Sequence, residues 1–294
     1  MVSGESKYIC MRCFFDKRFD LVQSLGTEQQ ATTMSKRIMQ MYLDSPDTID
    51  SATLGALVDE EIYKFYGVDP DQLKEERVLS NKFVMDRLPE IARLIEKQED
   101  PVYASLQFAV LGNYLDFAAL KGKVSFSQLE EMLQNALTMD LSKEVYSQFC
   151  EDLQKGKTLL YITDNAGEIA FDRLLAETLQ KAYPHIQITF MVRGGVIHND
   201  ATREDAEAVG LAFPIMDSGN AIGGTDLSRI SKEALQAVET ADVIIAKGMG
   251  NTETLYGCGK NVYYAFLVKC PRFVQFFDKP MFTPLFLREL RVES

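Results

Sequence analysis

Histidine is nearly absent from this chain of 294 residues, which has two, His185 and His198. That excludes a histidine-rich zinc site on numbers alone. No apolar run approaches the ~20 residues that span a bilayer. The opening Met-Val-Ser-Gly-Glu-Ser-Lys-Tyr lacks the apolar stretch of a secretory signal. Positive charge is also short. Lys and Arg total 31 against 43 Asp and Glu, a net charge of −12, with no Lys/Arg run. Such a surface repels phosphate backbones and anionic lipid, so neither nucleic acid nor membrane is expected as a partner. Cysteines are few, odd in number and scattered: Cys10, Cys13, Cys150, Cys258 and Cys270. They read as reduced thiols of a cytoplasmic protein. Cys10 and Cys13 have metal-like spacing, but one C-x-x-C pair is half a zinc site. Its plainer reading is two small apolar residues one helical turn apart.

What is present is ordinary globular composition, 46% hydrophobic and 25% charged, long enough for about two domains. Residues 1–152 read as helical. Glu28 to Leu43 is helix-compatible throughout, and Leu79 to Lys97 repeats Val84, Leu88, Ile91, Leu94 and Ile95 at helical spacing. Pro89 kinks that stretch or divides it in two. Ser105 to Leu120 is a strongly apolar helix, and Ser127 to Leu137 and Ser142 to Leu153 are further amphipathic candidates.

Residues 153–294 change pattern. Apolar runs at Thr158–Thr163, Ile186–Val192, Ala212–Met216, Asp242–Ala246 and Val262–Val268 read as strands. Helical stretches at Ile169–Tyr183, Thr202–Val209 and Leu227–Val238 lie between them. Continuous apolar strands alternating with amphipathic helices predict an α/β fold with a parallel sheet covered on both faces. The aromatic, proline-bearing last twenty or so residues have no clear assignment.

In such a sheet, ligands bind beyond the carboxyl ends of the strands. Four consecutive strand ends there carry polar residues: Asp164-Asn165-Ala166-Gly167-Glu168, then Arg193 to Asp200, then Asp217-Ser218-Gly219-Asn220, then Lys247-Gly248-Met249-Gly250-Asn251. Asp164, Asn165 and Asp200 offer the oxygen ligands that Mg²⁺ or Mn²⁺ prefers. A cation held by two or three such groups keeps positions for water and a phosphate. Lys247 is placed to neutralise a phosphate oxygen, and Ser218-Gly219 to form an anion nest. Each feature also has a plain structural reading: Asp164, or Asn199 with Asp200, as a helix cap, the glycines as turns, Lys247 as a solvated strand end. In the apolar helix, Asn113 and Asp116 share a face, and there they either pair internally or roof the crevice against a substrate.

Thr163-Asp164-Asn165-Ala166-Gly167-Glu168, Asn199-Asp200-Ala201-Thr202 and Ala246-Lys247-Gly248-Met249-Gly250-Asn251-Thr252-Glu253-Thr254-Leu255 resemble the metal-dependent damage-control phosphatases, also known as domain of unknown function 89. Cys10-Met11-Arg12-Cys13 and Gly112-Asn113-Tyr114-Leu115-Asp116 resemble its prokaryotic branch. The likeness runs in order over nearly the whole chain, except that Arg193 to His198 lacks an expected proline. It implies a helical domain packed on a Rossmann-like α/β/α sandwich. It also implies Asp164, Asn165 and Asp200 as ligands of one divalent cation (Mg²⁺ or Mn²⁺, with Co²⁺ or Ni²⁺ as options) and Lys247 on the phosphate. The expected activity is hydrolysis of sugar phosphates or other small phosphorylated metabolites. Asp164, Asp200 and Lys247 are then the catalytic candidates. Asn113, Asp116, Glu168, Asn199, Ser218, Gly219, Gly248 and Asn251 are the candidates for substrate contact. The nucleophile is most simply a metal-bound water, with direct attack by Asp164 as its rival, and Glu168 or Asp200 is the base. Two other readings remain: a non-catalytic binder of phosphorylated metabolites, and a methyltransferase using S-adenosylmethionine. The second is disfavoured because Asp-Asn-Ala-Gly-Glu stands where such cofactor sites usually carry Gly-x-Gly-x-Gly.

Overall fold

The computed structural model describes residues 8–119 (backbone alone for 114–119), 131 and 133–288. The first part is helical. Helix α1 spans Tyr8–Leu25 and contains Cys10 and Cys13. Helix α2, Glu28–Asp44, opens with Thr27 and Gln30 bonding reciprocally, the Gln30 Oε1 accepting from Thr27 N–H at 2.9 Å. Helix α3, Ser51–Tyr66, is capped by Asp50, whose Oδ1 accepts from Thr53 N–H at 2.7 Å, and ends at Gly67 with φ +65°. The stretch around Pro89 is two helices, α4 (Lys74–Met85) and α5 (Leu88–Glu96), with the proline in the first turn of α5. Helix α6 is Pro101–Ala119, buried over residues 102–113, and α7 is Lys143–Lys155. Of the stretch expected as a helix at 127–137, residues 127–130 and 132 lie outside the described residues, 131 and 133–135 are helical, and Ala136–Thr138 form a 3₁₀ turn.

The strands follow: β1 Thr158–Ile162, β2 Gln187–Val192, β3 Ile215–Asp217, β4 Val243–Lys247, β5 Val262–Leu267 and β6 Pro284–Arg288. Their order is β3-β2-β1-β4-β5-β6; the first five run parallel and β6 runs antiparallel to β5. The connecting helices are α8 (Glu168–Ala182), α9 (Arg203–Ala208), α10 (Lys232–Thr240), α11 (Gly248–Leu255) and α12 (Pro271–Phe277). Two expected boundaries move, each for a local reason. Strand β3 begins after Pro214, which has no N–H for a ladder. Helix α10 begins after Ser231, whose Oγ accepts from Ala234 N–H at 3.1 Å. Strand β6 was not expected from the sequence.

Apolar residues form three clusters. One buries Tyr161, Phe190, Ile245 and Tyr263 of the sheet against α4 to α9. A second buries Leu160, Ile162, Ile244, Ala246 and Tyr264 against α10 to α12. The third lies within α1, α2 and α3. The boundary expected at residue 152 falls inside α7, the strands begin at Thr158, and the first cluster runs across both. The strand order reverses between β1 and β4, so a crevice opens beyond their carboxyl ends.

Candidate active site

Asp164 and Asn165 leave the end of β1. Neither caps the helix that follows, because α8 starts at Glu168 with Gly167 as its cap. The Asp164 carboxylate is instead held by two amides. Its Oδ2 accepts from Asn113 Nδ2 at 2.8 Å and from Asn165 Nδ2 at 2.7 Å. The second hydrogens of both amides go to Glu168 Oε2 at 3.0 Å. Two amide groups thus bridge two carboxylates. Asn113 is anchored in turn, its Oδ1 accepting from Leu267 N–H at the end of β5, 3.2 Å away. The Asp116 side chain lies outside the described residues.

The loop after β2 brings Asp200 to the same place. Asn165 and Asp200 form an isolated antiparallel bridge. Ala166 N–H donates to Asn199 O at 2.9 Å, and Ala201 N–H to Asp164 O at 2.7 Å. Asp200 does not cap a helix either: α9 opens at Thr202, whose N–H and Oγ1 donate to Asp205. Arg193 fixes the Asp200 carboxylate, donating from Nε to Oδ2 at 2.6 Å. Its other nitrogens donate to Gly224 O at 2.9 Å and Asn251 Oδ1 at 3.0 Å. Burial raises the Asp200 pKa, against the pull of the Arg193 guanidinium. Burial, then the charges of Asp200 and Glu168, push Asp164 well above the usual carboxylate range, and Arg193 and Lys269 pull it back.

Lys247 departs from its expected role. It ends β4, fully buried, with Nζ donating to Glu168 Oε1 and Asp172 Oδ1, each at 2.6 Å, and to Ala109 O at 2.8 Å. An ammonium has three hydrogens, so in this arrangement none is left for a phosphate. Burial alone would lower its pKa, but the two carboxylates more than offset that and raise it. Asp172, which also accepts from Tyr161 Oη at 2.7 Å, is raised by burial to about 7 despite Lys247.

Asn251, Ser218 and Gly219 are redirected in the same way. The Asn251 amide donates to Thr163 O at 3.0 Å and Lys247 O at 2.7 Å, and its oxygen accepts from Arg193 and Thr225. It ties the ends of β1 and β4 to Arg193 and has no hydrogen left for a substrate. Ser218 Oγ accepts from Gly194 N–H and donates to Asn220 O, while Gly219 N–H donates to Asp217 Oδ1. The expected anion nest therefore joins two loops to each other. Gly248 does meet the site: its φ is +77°, and a Cβ there would collide with the Asp164 carboxylate. The N-terminus of α11 accordingly packs against Asp164.

Four site-building residues escaped the sequence reading. Arg193 was seen in its loop without a role. Asn81 of α4 accepts from Gly167 N–H at 2.6 Å and donates to Asp205 at 2.9 Å, joining the two loops from outside the sheet. Asp172 lies a helical turn beyond Glu168. Lys269 lies two residues beyond the end of β5. Among the described residues no three His, Cys, Asp or Glu side chains are grouped to hold a metal unaided. The cluster assembled here is two aspartates and an asparagine amide.

Comparison with known proteins agrees with this architecture. The family model described as "Damage-control phosphatase ARMT1-like domain" matches residues 7–283. A damage-control phosphatase from Pyrococcus horikoshii is 30% identical over 278 residues, covering 90% of this chain and 91% of its own. A damage-control phosphatase from Archaeoglobus fulgidus is 30% identical over 224 residues, covering 75% and 76%. The crystal structure of a DUF89 family protein from P. horikoshii superposes with a TM-score of 0.82 at 26% identity, over 97% of this chain and 99% of that one. Family model, relatives and fold together place this chain in the ARMT1-like damage-control phosphatase family.

Proposed function

We propose that the chain is a divalent-metal-dependent phosphomonoesterase that hydrolyses small phosphorylated metabolites. The observation that carries this reading is how the three candidate ligands are held. Asp164 is fixed through Oδ2, Asn165 through Nδ2 and Asp200 through Oδ2. Each is tethered by one atom, so Asp164 Oδ1, Asn165 Oδ1 and Asp200 Oδ1 are the atoms to meet a cation, in the manner of outer partners that orient metal ligands. The charge balance agrees: Asp164 and Asp200 are buried together, and Lys247, the lysine deepest in the site, is engaged by Glu168 and Asp172. A hard dication suits two carboxylates and an amide oxygen. When bound, it would supply charge neutralisation and a water of lowered pKa.

The chain's own groups do the rest. Asn113 and Asn165 hold Asp164 against Glu168. The N-terminus of α11 places partial positive charge beside Asp164, where a phosphate's negative oxygens are stabilised. Lys269, whose charge reaches Asp164, takes the phosphate-neutralising role first expected of Lys247. The test is p-nitrophenyl phosphate hydrolysis across Mg²⁺, Mn²⁺, Co²⁺ and Ni²⁺. Asp164→Asn and Asp200→Asn should each lose more than the roughly 10–100-fold that outer-shell partners cost, with circular dichroism unchanged. Wild-type rates in both variants would refute the site.

A further inference from the structure

Beside the acidic cluster the fold leaves a cavity of about 940 Å³, at the upper end of small-molecule sites. One wall is α3, through Ala56, Leu57 and Tyr63. The other is the loops after β2 and β3, through Val196, Ile197 and Ile222. This second wall and the acidic cluster share one turn: Asp200 N–H donates to the carbonyl of Ile197 at 3.0 Å. The two walls also meet across that turn. Asp59, in the α3 wall, lies 3.7 Å from the ring of His198, the residue after Ile197, whose φ is +48°.

The charged groups lining the cavity are already paired within the protein. Asp59 accepts from Arg18 at 3.0 Å, Glu60 from Lys64 at 2.5 Å, and Arg229 lies 3.4 Å from Asp226. The side chain of Asn220 is occupied as well, bonding Arg229 O and Ile222 N–H. What faces a ligand is mainly aliphatic surface with one phenol ring. A polyhydroxylated body would gain few hydrogen bonds from such walls, and a second phosphate would meet only cations already engaged in ion pairs.

We propose that this cavity holds the non-phosphate body of the substrate, and that this body is uncharged and largely apolar. The preferred substrates are then alkyl or aryl-alkyl phosphomonoesters rather than sugar phosphates or bisphosphates. The proposal rests on the phosphomonoesterase reading above and adds the identity of the leaving group.

Ethyl phosphate and 2-phenylethyl phosphate release similar alcohols and differ in the body the cavity would take. With Mn²⁺ present, kcat/KM for 2-phenylethyl phosphate should exceed that for ethyl phosphate and for glucose 6-phosphate by about tenfold or more, the return on burying a ring. Ala56→Phe and Val196→Phe fill the cavity from opposite walls. Each should erase that advantage and leave ethyl phosphate within about twofold of wild type, as for changes away from the reacting groups. Equal rates for the three esters in the wild type, an advantage that survives both fillings, or equal slowing of both alkyl esters would overturn the cavity assignment. If no ester is hydrolysed, calorimetry of 2-phenylethyl phosphate decides. Binding lost on filling keeps the cavity and removes only the catalytic reading, whereas binding unchanged, or no binding to the wild type, removes the cavity.

Discussion

Two clusters of buried charge lie side by side in this molecule, and they are built to opposite ends. In the deeper one, Lys247 gives each of its hydrogens to an acceptor and Tyr161 adds a fourth bond, on Asp172. It is complete without a visitor, apart from Asp172 Oδ2, which has no hydrogen-bond partner. In the outer one, Asp164 and Asp200 approach each other with Arg193 bonded to only one of them, and burial, then the charges of Asp200 and Glu168, drive the Asp164 pKa up. Glu168 belongs to both, with one oxygen on Lys247 and the other on the two amides. The contrast teaches that burial of charge alone does not mark a functional site. What sets the outer cluster apart is charge whose neutralisation the protein leaves unfinished.

The largest expected effect breaks the deeper cluster. Lys247→Met leaves two carboxylates buried without their cation, which should cost about 3–5 kcal/mol of stability, read from urea denaturation. Adding Glu168→Gln and Asp172→Asn should restore much of it, and a triple variant no more stable than Lys247→Met would show that the cluster is not self-contained. The next sharpens the outer cluster. Arg193→Lys keeps the charge but not the fork that spans Asp200, Gly224 and Asn251, and should weaken Mn²⁺ binding by roughly 10–100-fold, measured by calorimetry with the melting temperature as control. The smallest effect, taken per unit of pH, is a slope in stability. The Asp172 value near 7 in the folded protein lies above that of an unfolded aspartate. The folded state therefore keeps a proton that the unfolded chain has already lost. This contribution is fully present below about pH 4 and lost as pH rises through about 7, at up to roughly 1 kcal/mol per pH unit. Asp172→Asn should flatten the slope in that window, and an unchanged slope would place the titration elsewhere.

Much of this was legible in the sequence because parallel strands are buried on both faces and read as unbroken apolar runs. Their ends then stand out, and Asp164, Asn165 and Asp200 were found that way. Strand β6 was not legible: it starts at a proline, pairs on one side only, and sits in an aromatic stretch without period. The contacts of Lys247 were not legible because position along a strand does not give the direction of a side chain. Side chains alternate along a strand, so Lys247 shares a face with Ile245, which packs into the cluster containing α6 and α8. That parity sends the lysine beneath the site rather than over it. The capping alternatives for Asp164 and Asp200 could not be separated in advance, since a cap and a ligand use the same residue types a few positions apart. Arg193, Asn81 and Asp172 needed three-dimensional proximity to be recognised, as Asn81 joins segments 86 and 124 residues away.

The amide of Asn113 reaches a backbone hydrogen 154 positions further on, at Leu267. Contacts that distant close slowly, because the intervening polypeptide must be ordered first. The nascent protein therefore carries Asn113 and Asp164 out of the ribosome long before their amide bridge can be anchored, and that bridge is completed only in molecules whose fifth strand has been laid down.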